Sequence, residues 1–218
     1  YLKANKIVSP IVKNNEVLEN SLILNFDKTD MTVDAEFIVY ENLSKEKTDR
    51  YEYILPKIDI TKEMDNKTNL DGEFLLQSSG LIKNYDTNIN EKININDFIF
   101  NSNSKITSLG ILNDYNLIIK NVNSDTDNSS SFKENENYYL SGLYQFNSSL
   151  PLIKESVNYQ KILKPKISLK ISPNHTKNMD SDNNRLDVNN LFSLNRIAAS
   201  DTLEGGISLA YGNDFSIL

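Results

Sequence analysis

The side chains that could perform catalysis are few, and their spacing does not assemble an active site. The only histidine, His175, lies in the polar, turn-like sequence 173–176, so a serine nucleophile would lack a base. The chain contains no cysteine, which excludes thiolate catalysis and disulfide bonds. Asp34 and Glu36 are two residues apart and would share one face of a strand. An acid–base pair is conceivable there, but the wall of a hydrated lumen is the simpler explanation. The sequence therefore predicts no catalytic residue.

Two acidic stretches have part of the spacing of a calcium-binding loop. In the first, Asp125, Asp127 and Glu136 occupy ligand positions, but Ser130 stands where the sharp turn of such a loop needs glycine. The second stretch, which begins at Asp180, matches less well. A single histidine also excludes a multi-histidine metal centre. We therefore expect neither a metal ion nor another cofactor.

One group of lysines has the spacing to bind an anion. Lys164, Lys166 and Lys170 lie at even positions of an alternating segment and would point to the same face of a strand. The simplest explanation is a row of lysines that faces solvent or a barrel lumen, and the more specific alternative is contact with lipid phosphates. The net charge of −7 and a pI near 4.9 argue against nucleic acid as the anion, because a nucleic-acid-binding surface normally needs a basic excess.

The elements that would position these residues are β-strands. Apolar and polar residues alternate along the chain with a period of two, most clearly where Val33, Ala35 and Phe37 alternate with acidic neighbours. Helical spacing does not recur. The 32 asparagines, with Asp, Ser and Lys, concentrate between the alternating runs and predict loops at 62–71, 123–137 and 173–184. Strands are predicted at 22–26, 32–39, 51–60 with a bend or bulge at Pro56, 72–81, 93–100, 111–122, 138–146, 161–171, 186–197 and 206–211.

The length of the predicted strands bears on whether they could cross a membrane. A tilted strand of about ten residues crosses about 23 Å, close to the apolar band of an outer-membrane barrel. No apolar stretch approaches the roughly 18 to 20 residues of a membrane-spanning helix. A soluble β-sandwich would give the same alternation, so period alone leaves both architectures open.

The region 161–212 carries the most distinctive motif. It contains a run of seven residues followed by a spaced acidic and glycine pattern: Asn190, Leu191, Phe192, Ser193, Leu194, Asn195 and Arg196, then Asp201, Glu204, Gly205 and Gly206. This motif resembles the barrel domain of the LPS-assembly protein LptD, in the form found in alphaproteobacteria. Segments 50–56, 83–85 and 120–125 resemble the same family less densely.

The resemblance implies an all-β fold, a segment of an antiparallel transmembrane β-barrel that is an incomplete barrel with long polar loops. Residues 1–218 would be part of an outer-membrane barrel domain, with the jellyroll domain and the barrel seam outside this chain. The implied function is to insert lipopolysaccharide into the outer leaflet of the cell outer membrane, without enzymatic chemistry. Implied partners are lipopolysaccharide and, through the full-length protein, a plug lipoprotein of the LptE type and the periplasmic Lpt bridge components.

The motif also has a direct physical interpretation. Asn189 and Asn190 favour a turn, and residues 191–194 would form a short apolar strand. Arg196 could pair with Asp201 or Glu204, and the two glycines permit a tight corner. We therefore expect the motif to be structural or to face a polar lumen.

Two other classes of protein remain open at this point. A soluble extracellular or periplasmic β-rich module that binds glycans would pack its Val33 row against a second sheet within the chain. A glycosidase would need two carboxyl groups about 5 to 10 Å apart across a cleft.

Overall fold

The computed structural model describes residues 16–45, 49–85, 88–129, 132, 134–173, 186–197 and 199–217. Within them the chain forms eleven β-strands, all in one antiparallel sheet. No helix among these residues is long and apolar enough to cross a membrane. The strands are β1 (Val17–Lys28), β2 (Met31–Asn42), β3 (Tyr51–Met64), β4 (Gly72–Tyr85), β5 (Ile89–Ser102), β6 (Lys105–Ile106), β7 (Leu112–Asp127), β8 (Asn135–Ser149), β9 (Leu152–Glu155), β10 (Gln160–Ser172) and β11 (Gly206–Ile217).

The long strands follow one another across the sheet in chain order. The order is β1-β2-β3-β4-β5-β7-β8-β10-β11, while the short strands β6 and β9 pair with β7 and β10. The sheet does not close, because β1 and β11 each have a neighbour on one side only among the described residues. The all-β antiparallel prediction is confirmed, and the bulge predicted at Pro56 coincides with a register shift between Ile54 and Lys57.

The sheet has two chemically distinct faces, which we call the apolar face and the polar face. Val33, Ala35 and Phe37 lie on the apolar face, where Val33 stands opposite Ile60. On β10 and β11 the same face carries exposed residues such as Ile167 and Leu209. No second sheet covers this row within the described residues. The described residues therefore do not show the second layer that the soluble glycan-binding alternative predicts.

The apolar residues form a band that runs obliquely across the strands. The line of paired residues that begins at Val33 and Ile60 continues to Ser78, Asn96 and Asn121. On this face the apolar residues lie towards the carboxyl end of β5 and the amino end of β7, where Phe100 contacts Phe74 and Tyr115 with ring centroids 4.6 and 5.8 Å apart. An oblique band is expected when strands are tilted relative to the plane of a membrane.

Two predictions about local structure are wrong. Residues 186–197, including the apolar run 191–194, form turns rather than a strand. Conversely, part of the polar stretch 123–137 is strand, because β7 continues to Asp127 and β8 begins at Asn135. Asparagine is a poor strand former in isolation, but cross-strand hydrogen bonds between amides, such as that from Asn123 to Asn94, offset this preference.

Candidate functional site on the polar face

Charged and amide side chains on the polar face are joined across the strands. Glu36 accepts a bond from Lys57 at 3.1 Å, and Lys57 also lies 3.4 Å from Asp59. Asp34 accepts a hydrogen bond from the amide of Asn25 at 2.7 Å. The carboxylates considered as an acid–base pair therefore belong to a cross-strand network that stabilises a hydrated wall.

Residues 186–197 and 199–205, which we call the covering segment, lie over the polar face of β7, β8 and β10. Leu203 is fully buried and forms an apolar cluster with Ile118 and Leu143. Ile99 and Leu194 pack against this cluster. This is the only fully buried apolar cluster that the described residues form, so it is the main apolar anchor of the segment.

The covering segment starts with a hydrogen-bonded turn. The carboxylate of Asp187 accepts bonds from the backbone N–H groups of Asn189 and Asn190, at 2.8 and 3.1 Å. The amide oxygen of Asn190 accepts a bond from the N–H of Asp187 at 2.9 Å. Such reciprocal bonds close a turn locally, which is why the tendency of the asparagines to form a turn overrides the apolar residues that follow.

Phe192 fixes the position of this turn on the sheet. Its ring lies under the ammonium of Lys166, 4.3 Å from the ring centroid. A Cβ atom on Gly212 of β11 would stand 3.2 Å from the Phe192 ring, so the glycine leaves room for the ring. The aromatic ring, the cation and the glycine come from three parts of the chain that no local pattern relates.

Two buried polar side chains of the sheet bind the backbone of the covering segment. Gln145 donates from its amide to the carbonyl of Phe192 at 3.0 Å and to the hydroxyl of Ser168 at 2.8 Å. Lys170 donates from its ammonium to the carbonyl of Ser193. These bonds supply partners for polar groups that would otherwise be costly to bury.

A buried ion pair holds the other end of the segment. Arg196 contacts Glu204 through two hydrogen bonds, one of them 2.7 Å from Nε to Oε2, and also donates to the hydroxyl of Ser208 at 2.9 Å. The amide oxygen of Asn195 accepts a bond from the N–H of Glu204 at 3.2 Å. Burial lowers the pKa of Arg196, but arginine remains protonated in proteins. We call the Arg196–Glu204 pair the clasp. Asp201 and Glu204 were the two predicted partners of Arg196, and the structure pairs Glu204 with it.

The three candidate lysines all lie on the polar face of β10, in different environments. Lys170 is buried, with its ammonium 4.0 Å from Glu204. Lys166 pairs with Asp214 at 2.8 Å, and Lys164 is half-buried. Lys164 and Lys166 are therefore the members of the row that a ligand could reach.

The rejected calcium loop has a different geometry in the structure. Asp125 and Glu136 stand opposite each other on β7 and β8, and Asp125 pairs with Lys92 at 2.9 Å. Among the described residues, no group of three or more His, Asp or Glu side chains could hold a metal ion. His175 and the candidate ligands of the second stretch, Asp180, Asp182 and Asn184, lie outside the described residues.

One buried ion pair of the sheet was not predicted from the sequence. Lys120 on β7 contacts Asp97 on β5 at 2.7 Å, and the lysine side chain is 5% exposed. The two residues are 23 positions apart, so only the strand register brings them together. The local pattern gave no signal for it. Asp97 shares its strand face with Ile99. Lys120 shares its face with Ile118.

Together, an antiparallel sheet with an apolar band on one face and buried ion pairs on the opposite face is typical of the wall of a strand-built membrane protein. A family model described as "LptD: LPS transport system D" matches residues 2–217. The chain belongs to this family. No curated protein matches it.

Membership of the family establishes the function at the level of the pathway. The family consists of β-barrel proteins of the outer membrane of Gram-negative bacteria that act in lipopolysaccharide transport. The chain is therefore an outer-membrane protein of lipopolysaccharide transport and not an enzyme. The family predicted from the motif is confirmed, whereas its alphaproteobacterial form stays a prediction.

Proposed function

We propose that residues 1–218 form part of the wall of a larger barrel of the alphaproteobacterial type, whose jellyroll domain and seam are supplied by other parts of the protein. The observation that carries this proposal is the open sheet with an apolar face and a charged face. Strands β1 and β11 each have one unpaired edge within the described residues, and an open edge is unfavourable in lipid. Further strands would pair with these edges.

In this arrangement the polar face lines the lumen, and the barrel works by sterics and electrostatics. A sugar-phosphate head would pass along the polar face while the acyl chains partition outward. The covering segment narrows the lumen and is held there by the clasp, Gln145 and Lys170. We assign a structural, lumen-facing role to the family motif, namely Asn190, Leu191, Phe192, Ser193, Leu194, Asn195, Arg196, Asp201, Glu204, Gly205 and Gly206.

Lys164 and Lys166 are proposed to contact the phosphates of the transported lipid. We expect the double substitution Lys164→Glu and Lys166→Glu in the full-length protein to lower lipopolysaccharide photocrosslinking from a probe in the lumen at least about tenfold, because the loss of even one charge-assisted hydrogen bond costs about 1.5–3 kcal/mol. Lys170 is expected to contribute less, since its ammonium already binds the Ser193 carbonyl.

Lys161 provides the matched control for this experiment. It lies on the same strand as the other lysines but at an odd position, on the apolar face. Lys161→Glu makes at one position the same charge reversal that the double variant makes at two, and it should leave lumenal crosslinking unchanged. An equal loss in both variants would refute a specific role for the two lumenal lysines.

A plug lipoprotein of the LptE type is the proposed occupant of the lumen beside β1 to β4, and the periplasmic Lpt bridge would bind through the full-length protein. Support comes from the half-buried and exposed polar residues of this part of the wall, such as Asp59 and Thr61. A photoreactive residue at Thr61 should crosslink to a lipoprotein, whereas one at Ile60 on the opposite face should not. Absence of a lipoprotein adduct at Thr61 would remove the proposal.

A further inference from the structure

A cleft of about 390 Å³ opens on the apolar face, on the side of the sheet opposite to the covering segment. We call it the outer cleft. It spans strands β3, β4, β5, β7 and β8, and its lining includes Gly80, Ile82, Asn94, Asn123 and Tyr138. None of these residues takes part in the clasp or in the lysine row, so the lumenal proposal leaves the cleft unexplained.

The floor of the outer cleft belongs to a ladder of hydrogen-bonded amides. Asn96 donates to Asn94 at 2.5 Å, and Asn123 donates to Asn121 at 2.7 Å and to Asn94 at 3.4 Å. Ser78 extends the ladder by donating to Asn96 at 2.7 Å. Amides on the outside of a barrel are unfavourable against hydrocarbon, so this part of the surface belongs at the level of the lipid headgroups.

The position of the cleft along the strands agrees with that level. The aromatic residues of the apolar band, Phe98 and Phe100, follow Asn94 and Asn96 on the same face of β5. Towards the amino end of β5, on the same face, Lys92 pairs with Asp125. The cleft thus lies between the apolar band and the charged strand ends. It is nearest the side of the sheet from which the longest connection, residues 173–205, leaves, and long connections are typical of the extracellular side.

The charges at the rim select the class of ligand. Lys92 is accompanied by two carboxylates, Asp125 and Glu136, so the rim carries a net charge of about −1 and repels a phosphate. Amides and carboxylates instead match the hydroxyl groups of a sugar, which both donate and accept hydrogen bonds. The ring of Tyr138 is 72% exposed at the cleft and presents a flat surface for the C–H face of a sugar ring.

We propose that the outer cleft binds the uncharged saccharide portion of a glycolipid headgroup in the outer leaflet that surrounds the barrel. The acyl chains of that glycolipid would lie along the apolar band below the cleft. The site is separate from the lumen, and it does not depend on the lysine contacts proposed above.

The test uses the full-length protein in its native membrane, with p-benzoylphenylalanine in place of Tyr138 and, in a second protein, in place of Tyr211. Tyr211 is the matched control, because it is a tyrosine on the apolar face of β11, 81% exposed and outside the cleft. Glycolipid adducts at position 138 should exceed those at position 211 about fivefold, the factor expected from about 1 kcal/mol of specific hydrogen bonding.

Two kinds of variant separate the site from general stability. Gly80→Leu leaves every amide intact but fills the cleft, since a Cβ at Gly80 meets only Asn94, at 3.8 Å. Asn123→Leu removes ladder amides, and Asn213→Leu on the apolar face of β11 is its control. Gly80→Leu and Asn123→Leu should each reduce the adducts at position 138 about fivefold. Asn213→Leu should leave them unchanged. The heat-dependent gel mobility of each protein reports whether the barrel has folded.

The mass of the adduct identifies the source of the saccharide. A mass that includes acyl chains supports the proposal, while a mass of free oligosaccharide would overturn the assignment to a membrane glycolipid. Adducts with phospholipid or protein, or equal adducts at positions 138 and 211 in folded protein, would also overturn it.

Discussion

Replacing Glu204 with glutamine is expected to destabilise the folded barrel by about 3–5 kcal/mol, because it leaves Arg196 charged and enclosed without its carboxylate. The side chains of the two residues are only 9% and 17% exposed, so water cannot replace the lost partner. Lys170, 4.0 Å from Glu204, would add a second uncompensated cation. The measurement is urea unfolding of the full-length protein in detergent, followed by the mobility of folded and unfolded forms on a gel.

Asp214→Asn is the matched control for this substitution. It removes the carboxylate of the Lys166–Asp214 pair on the same face, but the side chain of Asp214 is 58% exposed. An exposed pair contributes about 0–1 kcal/mol, so the control should hardly move the transition. Equal shifts for both substitutions would show that burial does not govern the effect.

A double variant separates the value of the clasp from the cost of leaving one charge alone. Arg196→Met combined with Glu204→Met removes both charges, and we expect it to be more stable than Glu204→Gln alone. Recovery should be incomplete, because the hydroxyl of Ser208 loses its partner as well. A double variant less stable than Glu204→Gln would mean that Arg196 and Glu204 act on stability independently.

The faces of the sheet could be predicted from the sequence, because strand side chains alternate with a period of two and this period survives in the local pattern. The row of Val33, Ala35 and Phe37 and the row of Lys164, Lys166 and Lys170 each lie on one face, as their spacing requires. The fate of residues 186–197 could not be predicted in this way. Leu194 packs against the cluster that contains Leu203, and Phe192 lies against Gly212. Such long-range contacts leave no periodic signal in the sequence.

The candidate site was predictable only in part for the same reason. Spacing limited the partners of Arg196 to Asp201 or Glu204, and the hydrogen bonds of Asn195 to the backbone on the far side of the loop determine which one it meets. The burial of Lys170 depends on the covering segment, which begins beyond the end of its strand. The Lys120–Asp97 pair depends on the register of β5 and β7. Local sequence fixes the face of a residue, but its partners depend on register and on loops that fold back.

Leu203→Ala is expected to be the most destabilising apolar substitution in the covering segment, by about 2–5 kcal/mol. Leu203 is completely buried against Ile118 and Leu143, so truncation to alanine removes these contacts and leaves a cavity between the segment and the sheet. The same urea titration measures the effect, and a probe within residues 186–205 should report release of the segment before the sheet unfolds.

Leu209→Ala makes the same chemical change on the apolar face, where the side chain is 63% exposed and lipid or detergent can fill the space. It should therefore cost well under half as much as Leu203→Ala. If the two substitutions destabilise the protein equally, the covering segment is not anchored by its apolar cluster, and the clasp with its neighbouring hydrogen bonds must hold the segment on the polar face alone.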